Sequence, residues 1–195
     1  MGKQIKSKKR VASFGEVYTN EQEVNAMLDL VKDETEKITS TFLEPACGNG
    51  NFLIEILRRK LTAVGRLYGN DIDAYRIHMI EAVTSIYGVD IQADNIQESR
   101  KRMLDVCQKE YIGSYDAPLS EGTIQALECV LGRNIICGNT LTCLAADGSP
   151  LCFSEWKLND EGMFERKDFL FSDLLENKES DNMIDTVVYD WRRVA

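Results

Sequence analysis

Apolar residues recur at helical spacing from the first ordered-looking segment onward. Val24, Met27, Leu28 and Val31 follow Asn20, which has Glu23 three residues later as in a capping box, so a first helix is predicted over residues 21–32. Residues 39–43 are short, β-branched and apolar, the signature of a strand. That run stops at Glu44-Pro45 and a glycine-rich turn, after which residues 52–57 resume the helical period. The unit is strand, tight loop, helix. It recurs with Asp73 as a cap for a helix to about Val83, a buried strand over 85–89, and a long amphipathic helix over 94–111. A further helix fits 121–131 with Gly132 as its stop, and a third strand over 134–137 ends at Gly138-Asn139. Strands alternating with helices predict an α/β fold, a doubly wound, mostly parallel sheet with helices on both faces.

From Leu141 the pattern changes. LCFSEWKL, the turn-like NDEG and MFERKDFLF predict a β-hairpin, and residues 181–189 predict one more strand. No long helical stretch follows, so the α/β pattern is expected to be incomplete in its C-terminal half. The organisation expected is a basic arm over 1–11, an α/β domain over 12–141 and a divergent or truncated extension over 142–195.

Composition narrows the class. With 44% hydrophobic and 28% charged residues, three prolines and 13 glycines, the 195-residue chain is globular rather than collagenous or disordered. No run approaches the roughly 18 apolar residues of a membrane span, and MGKQIKSKKR leads into polar sequence, so a cytoplasmic protein without a membrane partner is expected. Six scattered cysteines without a C-x-x-C pair and a single histidine, His78, argue against a metal site or a disulfide framework. Lys3, Lys6, Lys8, Lys9 and Arg10 give the first ten residues +5 against a formal net charge of −9, so the remaining body carries −14. Duplex affinity comes mainly from phosphate neutralisation. If DNA is the substrate, most of the grip must come from elsewhere.

The chemistry concentrates in residues 42–53. Gly48 and Gly50 let the backbone approach a ligand with no Cβ in the way, and the helix start behind them offers unpaired N–H groups. A G-x-G after a strand is shared by NAD, flavin and S-adenosylmethionine sites. The dinucleotide fingerprint wants a small residue three positions after the second glycine, where this chain has Leu53.

Glu44-Pro45-x-x-Gly48-x-Gly50-x-Phe52-Leu53 and, before it, Phe14-Gly15-Glu16-Val17-Tyr18-Thr19 resemble two motifs of the adenine-specific DNA methyltransferases of restriction-modification systems, particularly the type IIG enzymes and type I modification subunits. The resemblance spans about residues 12–141. It implies the Rossmann-like S-adenosylmethionine-dependent methyltransferase fold, DNA as substrate, and a cofactor site that includes Tyr18, Thr19, Glu44, Pro45, Ala46, Gly48, Gly50 and Phe52. In the family the Thr19 position meets the methionine end of the cofactor and the Glu44 position helps to hold its amino group. A second acid should accept from the ribose hydroxyls at the end of the second strand. Asp71 and Asp90 compete for that role. Asp90 is preferred because 85–89 is the better strand, with Ile91 then against the adenine ring and Tyr68–Asp71 in an inserted connection. Asn139 falls where the family carries an Asp that accepts from the adenine amine; a turn residue after Gly138 is its other reading.

The departure from the family bears on catalysis. Methylating an exocyclic amine needs a flipped base, acceptors for its hydrogens and a stacked aromatic ring. The family supplies them with an Asn or Asp, two prolines and an aromatic residue in series, whereas Pro45, Pro118 and Pro150 are isolated here. Asp190-Trp191 is the nearest positional analogue, and no catalytic residue is assigned. The expectation is a methyltransferase, or its cofactor-binding part, completed by a partner subunit or a missing C-terminal region. The rival is a non-catalytic binding or structural module of a restriction complex. A small-molecule methyltransferase would need a substrate lid that the sequence does not display.

Overall fold

The structure, a computed structural model, describes residues 18–176 and the strand Ile184–Tyr189, together with Ser7 and Arg10. It is a mixed α/β chain. Three parallel strands, β1 (Phe42–Glu44), β2 (Ile86–Asp90) and β3 (Ile135–Asn139), lie side by side in that order, and β4 (Leu144–Ala145) adds antiparallel to β3. Glu44 stands opposite Gly88, and Asp90 opposite Cys137. A second, antiparallel sheet contains β5 (Cys152–Leu158), β6 (Phe164–Leu170) and β7 (Ile184–Tyr189). The described residues form seven helices: α1 (Glu21–Asp29), α2 (Lys32–Thr35), α3 (Asn51–Tyr68), α4 (Ile72–Thr84), α5 (Ala93–Tyr115), α6 (Glu121–Asn134) and α7 (Phe171–Leu175).

The element boundaries differ from the periodicity reading for identifiable reasons. The strand expected over 39–43 is shorter and later because the carbonyls of Lys37, Ile38 and Ser40 are turned onto the ammonium of Lys60 and cannot join a ladder. The first helix stops at Asp29 and restarts at Lys32, since Leu30 is 85% exposed and gains nothing from continuing the turn. Asp71, rather than Asp73, caps α4, its Oδ1 accepting from the N–H groups of Asp73 and Ala74 at 3.0 Å. Helix α6 runs through Gly132 to Asn134, and Arg100 donates to the carbonyls of Gly132 and Ile135 at its end. The side chain thus does what a glycine stop would otherwise do.

The largest departure concerns what covers the sheet. One face carries Ile86 and packs into the core of α3 to α6, where Leu53, Leu57, Leu61 and Val64 form a fully buried stripe along α3. Each such side chain contributes roughly 1.5–3 kcal/mol by leaving water. The other face carries Tyr87 and Val89, and it is covered by Leu151, Phe153 and Phe171 rather than by a second layer of long helices. Because the three parallel strands follow one another in a single direction, their right-handed crossovers fall on one side. Only a reversal of strand order would send helices to the other. The β5–β6 hairpin fills that space, tied by the Tyr87 hydroxyl to the Ser154 carbonyl at 2.8 Å. Further along, Trp156, Leu158 and Phe164 join the helical core. No helix among the described residues is long and apolar enough to cross a membrane.

Candidate functional site

The C-terminal ends of β1, β2 and β3 carry Glu44, Asp90 and Asn139, and the loop from β1 to α3 passes beside them. Its shape follows from its glycines. Gly48 and Gly50 take φ of +52° and +88°, backbone that an L side chain rarely adopts, and Gly50 is the N-cap of the 18-residue helix α3. A Cβ at Gly48 would stand 3.2 Å from Cε1 of Tyr18. A Cβ at Gly50 would run into the hydroxyl of Ser99 on α5. Gly88 is bare for a third reason: a Cβ there would meet Leu53 and Cys47 beneath the loop.

A closed circuit of contacts joins this loop to the second strand. The Gly48 N–H donates to Asp90 Oδ2 at 3.0 Å, and Asp90 Oδ1 accepts from the Gln92 N–H at 2.8 Å and from the Asn95 amide at 3.2 Å. Asn95 Oδ1 accepts from the Tyr18 hydroxyl at 3.0 Å, and the Tyr18 ring lies against Gly48. Four residues from three parts of the chain are therefore mutually fixed. A carboxylate offers about four acceptor positions, so three protein donors leave Asp90 roughly one for a ligand hydroxyl.

Helix α5 buttresses the loop along one stripe. Asn95 holds Asp90, Glu98 accepts from the Asn49 amide at 3.0 Å, Ser99 packs against Gly50, and Arg102 donates to the Asn49 carbonyl at 2.7 Å and to Asn51 Oδ1 at 3.0 Å. Asn51 in turn donates to the Thr19 carbonyl at 2.8 Å. Burial pushes the Arg102 guanidinium below its usual range. Thr19, Asn49, Asn51, Arg58 and Arg102 line a polar cleft of about 360 Å³ beside the start of α3. The sequence reading missed this stripe. The polar spacing i, i+3, i+4, i+7 was visible, but nothing in it distinguishes an inward polar face from a solvated one.

The remaining predicted residues sit as follows. Glu44 is half-buried, and burial raises its carboxyl above the usual range against the opposing Ala46 N–H. Pro45 and Ala46 are exposed, and the Pro45 carbonyl accepts from Thr140 Oγ1 at 3.3 Å, which ties the β3–β4 turn to the glycine loop. Ile91 is 50% exposed on the same edge. Phe52 packs against the helical core. Asn139 Oδ1 accepts from the Leu141 N–H at 2.9 Å, so its carbonyl is already serving as a turn residue. Asp71 caps α4 at the far end of α3, about 27 Å along that helix from the loop at 1.5 Å per residue. Residues 14–17 and the Asp190-Trp191 pair lie outside the described residues.

The thiols are chemically quiet. Burial, together with Asp90 and Glu44 nearby, pushes the Cys47 thiol far up, and burial pushes Cys107 up to about 12. No group of three His, Cys, Asp or Glu among the described residues could hold a metal ion. In comparisons of the chain with protein-family models, with curated proteins and with solved structures, none matches significantly.

Proposed function

We propose that this chain is an S-adenosylmethionine-dependent adenine-specific DNA methyltransferase of a restriction-modification system, or its cofactor-binding part, built on a Rossmann-like core. The observation that carries the reading is the bare glycine loop after β1, held by a hydrogen bond from the Gly48 N–H to the carboxylate that ends β2. Ligands of open α/β sheets bind outside the carboxyl ends of the strands, where such a loop brings N–H groups and a carboxylate together. Asp90, with an acceptor position remaining, would take a ribose hydroxyl; Glu44 would hold the amino group, Thr19 the methionine end, and Ile91 would pack on the adenine ring. Asn139 fits less well, because its acceptor is engaged by Leu141. Bound S-adenosylmethionine would supply an electrophilic methyl group, and the chain's task would be orientation, the largest source of acceleration in such a transfer. The acidic body leaves the grip on DNA to a partner subunit or a further region.

A non-catalytic cofactor-binding or structural module is the second reading, and β7 favours it. That strand runs antiparallel to β6, with Tyr189 opposite Phe164, whose side chain joins the helical core, rather than beside β1. It therefore ends away from the glycine loop. Titration of the purified chain with S-adenosylmethionine, followed by tritium transfer to mixed DNA, separates the two. The expected result is binding, no transfer above background by the chain alone, and transfer to adenine once the partner is added. Binding with no transfer under either condition selects the cofactor-binding module, and absence of binding removes the methyltransferase reading and leaves only a structural module.

A further inference from the structure

We infer that Asn95 is the positioning residue of this site: its side-chain amide couples Tyr18 to Asp90, so that the segment entering α1 and the acid ending β2 adopt their ligand-ready geometry together. The inference rests on the proposed S-adenosylmethionine site and adds to it a residue outside the two motifs at 14–19 and 44–53. Asn95 is 1% exposed, yet both ends of its amide are used, the oxygen by the Tyr18 hydroxyl and the nitrogen by Asp90. An amide accepts from the phenol at one end and donates to the carboxylate at the other, and it carries no charge at any pH. Leu or Ala would remove one donor to Asp90 and the acceptor that fixes the Tyr18 hydroxyl, and a carboxylate would place a second anion against Asp90. The fixed amide also keeps Asp90 Oδ1 occupied, so that Oδ2, shared with the Gly48 N–H, is the oxygen presented to a ligand. Tyr18, whose ring closes on Gly48, is thereby held on the same side.

The test uses the full chain and S-adenosylmethionine by calorimetry, with each variant compared to the wild type at the same pH. The ionisable groups around the amide are Asp90 and Tyr18 themselves, Asp94 paired with Arg10, and the thiols of Cys47 and Cys137, both held protonated by burial. Asn95→Asp is expected to weaken binding by on the order of tenfold or more at about pH 8, where both carboxyls are ionised and no donor faces Asp90. At about pH 5.5 the carboxylate pair takes up a proton, the protonated carboxyl donates as the amide did, and most of the affinity returns. A role in folding alone would not produce that recovery. Tyr18→Phe, which keeps the ring and removes only the hydroxyl, is expected to weaken binding by about threefold or more, and by no further factor when Asn95→Leu is already present. An Asn95→Asp loss equal at both pH values, or unchanged affinity in Tyr18→Phe, overturns the inference. Should Asn95→Asp fail to fold, Tyr18→Phe decides alone. Absence of binding to the wild-type chain would instead remove the proposed function, a distinguishable result.

Discussion

The two ends of the parallel sheet treat buried polar groups in opposite ways. At the N-terminal end, the fully buried Lys60 ammonium donates to the carbonyls of Lys37, Ile38 and Ser40 and to Ser85 Oγ, all within 2.9 Å. Asn134, equally buried, donates to the Thr84 and Ile86 carbonyls and accepts from the Trp156 indole. Donors and acceptors there are matched inside the chain. At the C-terminal end, Asp90 keeps an acceptor position, and the buried Ser99 Oγ and Asn49 Oδ1 have no hydrogen-bond partner among the described residues. A closed network fixes a fold, because each lost partner strands the other buried group. A network with spare capacity next to bare backbone is where a ligand can add contacts without breaking any.

That contrast can be broken most severely at Gly50. Gly50→Val puts a branched side chain into left-handed backbone and against Ser99, and it should destabilise the fold by roughly 2–5 kcal/mol in denaturant titration. The effect would therefore not be confined to ligand binding. Gly48→Ala, which meets only the edge of the Tyr18 ring, should be milder, so comparing the two variants separates packing from ligand access.

Lys60→Met tests the closed end. Removing the donor shared by the Lys37, Ile38 and Ser40 carbonyls, the first two of which keep the Ser40 N–H and the Ser85 hydroxyl, should lower stability by roughly 1–3 kcal/mol. The pH signature is more specific. Burial pushes the Lys60 ammonium down to about 7, against the roughly 10.4 of an unfolded lysine. Between those values the unfolded chain holds the extra proton, so stability should rise with pH across this window and level off above it. The slope is at most about 1.4 kcal/mol per pH unit, the value for a single proton, and the Glu81 and Glu34 carboxylates, which favour the charged form, limit the shift. Urea titrations from about pH 7 to 10 should show the rise in the wild type and not in Lys60→Met. A slope that survives the substitution would assign it to another group.

The smaller effects sharpen the assignment of the open end. Asp90→Ala should weaken S-adenosylmethionine binding by roughly 1–3 kcal/mol in calorimetry, the worth of a charge-assisted hydrogen bond and of the loop it holds. Asp71→Ala should leave that affinity unchanged and instead lower thermal stability by about 1 kcal/mol, as the loss of a helix cap does. The reverse pattern would move the ribose site to the other acid.

Much of the chain's order was legible in its residues. Periodicity located α3, β2, α5 and the β5–β6 hairpin, because each depends on neighbours a few positions apart. The glycines at 48 and 50 and the acid at the end of β2 were equally readable, since loop geometry and strand ends are local properties. Three features were not. The strand at 39–43 yielded residues to Lys60, a partner about 20 positions away. The second face of the sheet went to an antiparallel hairpin, because strand order, and not the alternation of elements, decides where crossovers lie. The polar stripe Asn95, Glu98, Ser99 and Arg102 turned inward to hold the glycine loop, although the same spacing would suit a solvated face. Local sequence determined which segments become helix, strand and bare-backbone loop. Only the tertiary structure decided which polar groups met partners and which kept capacity for a ligand, because hydrogen-bond satisfaction depends on residues tens of positions apart arriving within 3 Å of one another.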